Sequence, residues 1–156
     1  MGNGEELRSL LGRIPSGVAV VTVDTGGQRV GLTVATLVGL SLEPPLVGFS
    51  VARQAALHEL LREARRCAVS LLAAGQASLA EHFARGVPPI GMWEGIATEP
   101  SVGSTLLSGA LGWVECALHD EVRAGTHTLF VCEVERVVHG ADGPALVRVR
   151  GGFASA

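Results

Sequence analysis

The sequence predicts a mainly β fold, an antiparallel barrel with short helical excursions. Three observations carry that prediction. Apolar, β-branched runs recur along the chain and are punctuated by Gly, Pro and Asp turn signals. The two longest, Trp113–Val122 and Thr128–Val138, are separated only by a turn around Arg123-Ala124-Gly125, as antiparallel neighbours are. Helical periodicity is confined to brief segments, so strands and helices do not alternate as a βαβ sheet requires.

Taken in order, Glu5–Leu11 is expected as a helix that packs Leu7, Leu10 and Leu11. Val18–Val23 reads as a strand, Thr25-Gly26-Gly27-Gln28 as a turn, and Arg29–Thr36 as the returning partner. Leu46–Val51 is a buried strand after the Glu43-Pro44-Pro45 corner. Gln54–Arg65 is helical, because Leu57, Leu60, Leu61 and Ala64 recur at spacings of three and four. Cys67–Leu72 is another strand, and Gln76–Arg85 a second helix with Leu79, Ala80 and Phe83 on one face. Residues 86–104 hold Pro88, Pro89, Pro100 and several glycines, which predicts a long irregular loop. Ala145–Arg150 is a last strand after the Asp142-Gly143 turn. With no repeat or linker, the expected organisation is a single domain over 1–156.

A chain of 156 residues can bury a substantial core. Hydrophobic residues make up 47% and charged residues 17%, a balance that suits a surface partly covered by another subunit or a wide binding cleft. Arginine carries the positive charge. A net charge of −3 and the lack of a basic stripe argue against a nucleic-acid partner, and Arg62, Arg65 and Arg66 read as the solvated side of a helix. Cys67, Cys116 and Cys132 lie far apart in apolar runs without a Cys-x-x-Cys pair, so they read as reduced core cysteines of a cytoplasmic protein. The acidic N-terminus lacks the apolar run of a signal peptide. Val34–Val51 is broken by Glu43, Pro44 and Pro45, so no membrane span is expected.

The most informative stretch is 29–53. Its side chains are apolar or hydroxylic apart from the end arginines and Glu43. Small residues bring the backbone close to whatever lies over it, while Thr33, Thr36, Ser41 and Ser50 offer hydroxyls and Arg53 a fixed cationic fork. Two readings fit: a buried hairpin whose threonines favour strands, or the wall of a site for a planar heterocycle that carries a phosphate. No Gly-x-Gly-x-x-Gly follows a strand, no Walker A loop is present, and no Gly-x-Ser-x-Gly elbow supports a serine hydrolase.

The order of motifs resembles the flavin reductase-like family, whose domain is a Greek-key split β-barrel with short flanking helices. The matching segments are Ser16–Thr22, Gly31-Leu32-Thr33, the corner Ser41–Leu46, Val51-Ala52-Arg53, Phe83-Ala84, Trp113–Cys116 and Gly125–Phe130. Together they cover roughly 7–153. The resemblance implies NAD(P)H-dependent reduction of FMN or FAD, with NADH or NADPH as co-substrate and a separate flavin-dependent monooxygenase as recipient of the reduced flavin. It also implies a homodimer. A non-catalytic flavin-binding or redox-sensing module is the alternative, and a structural dimer with an emptied pocket a third reading.

Carried over residue by residue, the resemblance assigns the flavin to Thr33, Val34, Ala35, Thr36, Ser41, Ser50, Val51, Ala52, Arg53, His58, Phe83 and Arg85. It assigns the nicotinamide to Ser16, Gly17 and His127, with His127 as the catalytic contact that orients the carboxamide or the flavin edge. The competing readings are a turn histidine for His127, a solvated helix position for His58 and a core aromatic for Phe83. His82 reads as structural or at a subunit contact, and His119 and His139 as exposed strand positions. No pair of histidines has metal-ligand spacing. Trp93 is expected to cover a ligand or a subunit groove, and Trp113 to fill the core or dimer interface. The chain departs from the family pattern at Leu37–Ser41, at Gln54-Ala55-Ala56 and at Leu32. Two lost hydroxyl groups, each worth about 0.5–1.5 kcal/mol, would weaken flavin binding about tenfold or more.

Overall fold

The computed structural model describes residues 2–86, 88–101 and 103–156. Its elements run α1 (Asn3–Leu11), β1 (Ser16–Gly17), β2 (Ala19–Thr25), β3 (Gln28–Val34), β4 (Val38–Leu42), β5 (Pro45–Ala52), α2 (Ala56–Ala64), β6 (Arg66–Leu71), α3 (Ala77–His82), β7 (Thr98–Glu99), β8 (Leu106–Leu107), β9 (Gly112–Ala124), β10 (His127–His139), β11 (Leu146–Val149) and β12 (Gly152–Ser155). The fold is mainly β and its pairings are antiparallel. A seven-stranded sheet runs β3-β2-β6-β9-β10-β5-β4, a three-stranded one β1-β11-β12, and β7 pairs with β8.

The seven-stranded sheet is not closed. Its end strands are β3 and β4, and no ladder joins them among the described residues. The expected barrel is therefore realised as antiparallel sheets with an open seam, where β3 comes alongside β5 without pairing to it.

Two cores flank the sheet. β2 is buried from Ala19 to Val23 because both of its faces are covered there. Val21 and Val23 join Phe49, Leu57, Leu61, Val69 and Phe130 in one core, whereas Val20 joins Leu72, Ala80, Phe83, Leu107 and Leu146 in the other. Continuous burial explains why Val18–Val23 shows no alternation. α2 presents Leu57 and Leu61 to the first core and ends at Arg65, which adopts the left-handed conformation. The three cysteines are free and buried in that same core, and Cys67 stands directly opposite Cys116 across β6 and β9.

Three expectations need correction. α3 stops at His82 rather than Arg85. α1 forms, but it buries none of its residues, and Leu7, Leu10 and Leu11 are more than half exposed. The Arg29–Thr36 strand ends at Val34, where its ladder to Ala19 finishes, and β4 starts afresh at Val38. Ala35, Thr36 and Leu37 therefore lie outside any ladder.

Gly31 fixes how α3 sits on β3. A Cβ there would lie 2.7 Å from the Phe83 ring, so only glycine lets that ring pack onto the strand. Two hydrogen bonds hold the contact: the Thr33 N–H donates to the Phe83 carbonyl at 2.8 Å, and the Thr33 hydroxyl to the Ala80 carbonyl at 2.6 Å. This strap carries residues 83–86 to the edge of the seam.

Candidate functional site

A cavity of about 300 Å3 opens at the seam. Leu32, Thr33, Val34, Ala35 and Thr36 wall one side, and Ser50, Val51 and Ala52 the other. Ala55, Ala84, Gly86 and His127 complete it. β3 and the Ser50–Ala52 end of β5 border this gap without pairing to each other. Small residues at positions 35, 52, 55, 84 and 86 keep the backbone near the cavity surface.

The hydroxyls are partly committed. Thr33 donates to Ala80 and keeps its lone pairs, while Thr36 accepts the Ser50 N–H at 2.9 Å and so ties the two walls together. His127 begins β10 opposite Ala52, is exposed, and has its Nδ1 3.0 Å from the Thr126 hydroxyl. Among the described residues it is the one titratable side chain of the lining. Among the described residues the lining has no carboxylate, cysteine or lysine, and its polar side chains are His127 and three hydroxyls. It suits a bound group that does the bond chemistry itself.

Eight of the residues singled out in the sequence thus meet in one cavity: Thr33, Val34, Ala35, Thr36, Ser50, Val51, Ala52 and His127. The others do not line it. Arg53 lies one residue beyond β5, where its N–H donates to the Thr126 carbonyl at 3.0 Å. Its side chain borders a separate polar cavity of about 470 Å3 with His58, Arg123 and Thr128. His58 is buried, against the expectation of a phosphate-reaching or solvated histidine. Its Nε2 is 2.7 Å from the Thr128 hydroxyl, its Nδ1 3.1 Å from Glu59, and its ring rests against Phe130. The cause is the start of α2 at Ala56, which turns the ring toward β10 rather than toward the seam.

Glu59 itself is exposed. Burial acts to raise its pKa, but hydrogen bonds from Arg62 and His58 outweigh that and hold it below the usual carboxylate value. The same pairing with Glu59, together with Glu121, raises the pKa of Arg62.

Phe83 is fully buried, so its ring is core and only its carbonyl serves the cleft wall. Arg85 is exposed between the two lining residues Ala84 and Gly86. Ser41 sits in β4 with its hydroxyl accepting the Glu43 N–H at 3.3 Å. Ser16 and Gly17 pair with Arg148 and Val147 in the three-stranded sheet. Leu32 lines the cavity without having been assigned to it, and the other lining residues that sequence reasoning misses are Ala55, Ala84 and Gly86. Their signal is size: each is small beside a residue that looks chemically more interesting.

Trp93 packs on Phe83 at a centroid distance of 5.1 Å, and its Nε1–H donates to the Arg29 carbonyl at 2.7 Å. Trp113 is buried and donates to the Leu107 carbonyl. His82 stacks edge-on against Phe83 and is 2.5 Å from the Met92 carbonyl. His119 and His139 are exposed strand positions. Among the described residues no group of His, Cys, Asp or Glu is arranged to hold a metal ion, and no helix is long and apolar enough to cross a membrane.

The family model described as the flavin reductase like domain matches residues 11–156. The chain belongs to the flavin reductase-like family. Within that family it is 40% identical to the reductase component of a 4-hydroxyphenylacetate 3-monooxygenase from Thermus thermophilus, over 96% of this chain and 94% of that protein. It is 39% identical to an NADH-dependent FAD reductase from Streptomyces globisporus, over 83% of this chain and 72% of the relative. A solved Streptomyces globisporus NADH:FAD oxidoreductase superposes with a TM-score of 0.90 at 33% identity, covering 97% of this chain and 92% of that one. The flavin reductase component of a bacterial two-component tryptophan halogenase superposes with a TM-score of 0.88 at 34% identity, covering 98% of each chain.

Proposed function

We propose that this chain is an NAD(P)H-dependent flavin reductase, organised as one domain and working as a homodimer in the cytoplasm. FMN or FAD would occupy the β3–β5 seam, and NADH or NADPH would reduce it. Reduced flavin would pass to a separate monooxygenase, as the names of its reductase-component relatives suggest. The observation that carries this reading is the convergence of eight residues singled out in the sequence on one cavity whose sole titratable group, among the described residues, is His127.

The residues fit a flavin. Val34, Ala35, Val51 and Ala52 provide apolar surface for a flat ring, and small side chains let backbone groups approach its edge. Thr33, Thr36 and Ser50 provide hydroxyls near that edge. When bound, the flavin supplies the hydride acceptor. The chain's own part is to hold one ring face, leave the other open, and orient the incoming nicotinamide within about 3–3.5 Å. His127, exposed at the entrance, is proposed to hold the carboxamide through a hydrogen bond from its imidazole.

The test is direct. Purified protein should oxidise NADH or NADPH when FMN or FAD is supplied, and should do so far more slowly without flavin. Flavin binding without any nicotinamide oxidation would favour a binding or sensing module instead.

A further inference from the structure

The strand end that carries His127 is held from behind by α2. Side chains alternate along β10, so His127 lines the seam cavity while its neighbour Thr128, and Phe130 beyond, are buried on the other face. His58 meets that buried face. Its ring lies 5.2 Å from the Phe130 ring, centroid to centroid, and its Nε2 is 2.7 Å from the Thr128 hydroxyl. Glu59 orients the imidazole. A carboxylate only accepts, so Nδ1 donates to Glu59 at 3.1 Å, which leaves Nε2 to accept the Thr128 hydroxyl. Arg62 fixes Glu59 at 3.1 Å and reaches Glu121 at 3.0 Å, and Glu121 stands opposite Phe130 on β9.

The residues on both sides of His127 are thereby tied. Before it, the Thr126 carbonyl accepts the Arg53 N–H at 3.0 Å, and the Thr126 hydroxyl is 3.0 Å from His127 Nδ1. After it, Thr128 is bonded to His58. The chain enters this strand end from Gly125, at a φ of 60°, in an exposed turn where an added Cβ would meet nothing within 4 Å. A strand end with so little packing of its own opens locally unless its side chains are held. An apolar pair would bury as well as His58 and Thr128 do. A buried hydroxyl–imidazole bond costs desolvation, and what it adds is one fixed geometry.

We propose that His58 is a positioning residue for the nicotinamide step: through Thr128 it fixes the start of β10, and with it the place from which His127 meets the carboxamide. The proposal rests on the flavin reductase reading and on the part given there to His127, and adds the group that holds that histidine in place. His58 itself lies on the far side of β10 and touches neither flavin nor nicotinamide, so its effect passes through the backbone between Thr126 and Thr128.

Thr128→Val and Thr128→Ser in the full chain, each alone and combined with His127→Ala, test it by stopped-flow reduction, flavin titration and thermal melting. Thr128→Val should slow flavin reduction, or raise KM for NADH, by about tenfold, with the flavin Kd within about twofold of wild type. Thr128→Ser keeps the hydroxyl and should stay within about threefold of the wild-type rate. With His127 already replaced by Ala, Thr128→Val should change reduction by less than about twofold, because no imidazole remains to be positioned. His58→Leu gives a second variant with the same expected pattern, and melting shows which variants are folded. A folded Thr128→Val protein that reduces flavin like wild type, a Thr128→Ser protein as slow as Thr128→Val, or an equal loss with and without His127 overturns the positioning role while leaving the reductase reading intact. Wild-type protein that reduces neither flavin with either nicotinamide overturns both.

Discussion

His127 carries the sharpest residue-scale consequence. It is exposed at the start of β10, where among the described residues its hydrogen-bond partner is the Thr126 hydroxyl at Nδ1. An oriented contact made mainly in the transition state is worth about ten- to a hundredfold in rate. His127→Ala should therefore slow flavin reduction by about that factor, or raise KM for NADH, with flavin affinity nearly unchanged. Stopped-flow reduction alongside flavin titration reads both quantities, and either unchanged reduction by NADH or loss of flavin binding would contradict the assignment. Cys67 gives a second case. Contacts with Cys116 and Cys132, together with burial, push its thiol pKa well above the ordinary value. The unfolded thiol ionises at about pH 8.5 while the folded one stays protonated, so the native state binds more protons there. Stability should be complete below that pH and fall as pH rises past it, at about 1.4 kcal/mol per pH unit for one such group. Denaturant melts of wild type and Cys67→Ala between about pH 8 and 10 should show the steeper fall in the wild type.

At the scale of elements, the docking of α3 on β3 decides the shape of the cleft. Gly31→Ala would drive a methyl into the Phe83 ring, since the built Cβ lies 2.7 Å away. Overpacking of this kind costs about 1–3 kcal/mol. Because residues 83–86 hang from the same contact, flavin affinity should drop together with thermal stability. A Gly31→Ala variant with wild-type melting would show that the ring repacks freely. Much of this level was legible in the sequence. The strands around Val18–Val23, Leu46–Val51 and Thr128–Val138 were readable because runs of β-branched residues bounded by turn signals have few other solutions. The seam wall was readable because Thr33–Thr36 and Ser50–Ala52 combine small size with hydroxyls. What stayed hidden depended on tertiary geometry. The inward turn of His58 is set by where α2 begins, and the burial of Phe83 by a glycine on a distant strand. The lining roles of Ala55, Ala84 and Gly86 belong to residues that have no chemistry to advertise.

For the whole molecule, two apolar surfaces stand unpartnered on one protomer. α1 exposes Leu7, Leu10 and Leu11, and Ile14 follows at 61% exposure. A nine-residue helix that buries nothing against its own chain is marginal in water. The edge strand β4 exposes Val38, Leu40 and Leu42, the last at 92%. An edge strand with bare apolar side chains is an aggregation hazard unless something covers it. In the proposed homodimer a second copy covers these surfaces by a closed two-fold contact, in keeping with a chain of 17% charged residues. Sedimentation at micromolar concentration should therefore give twice the 16.1 kDa chain mass. Replacing Leu7 and Leu10 with Asp should shift the protein toward monomer without loss of the core, because neither side chain is buried in the protomer. Circular dichroism melting of the same variant separates dissociation from unfolding. A wild-type protein that sediments as a monomer would mean that α1 and β4 are covered by another partner, and the homodimer would have to be abandoned.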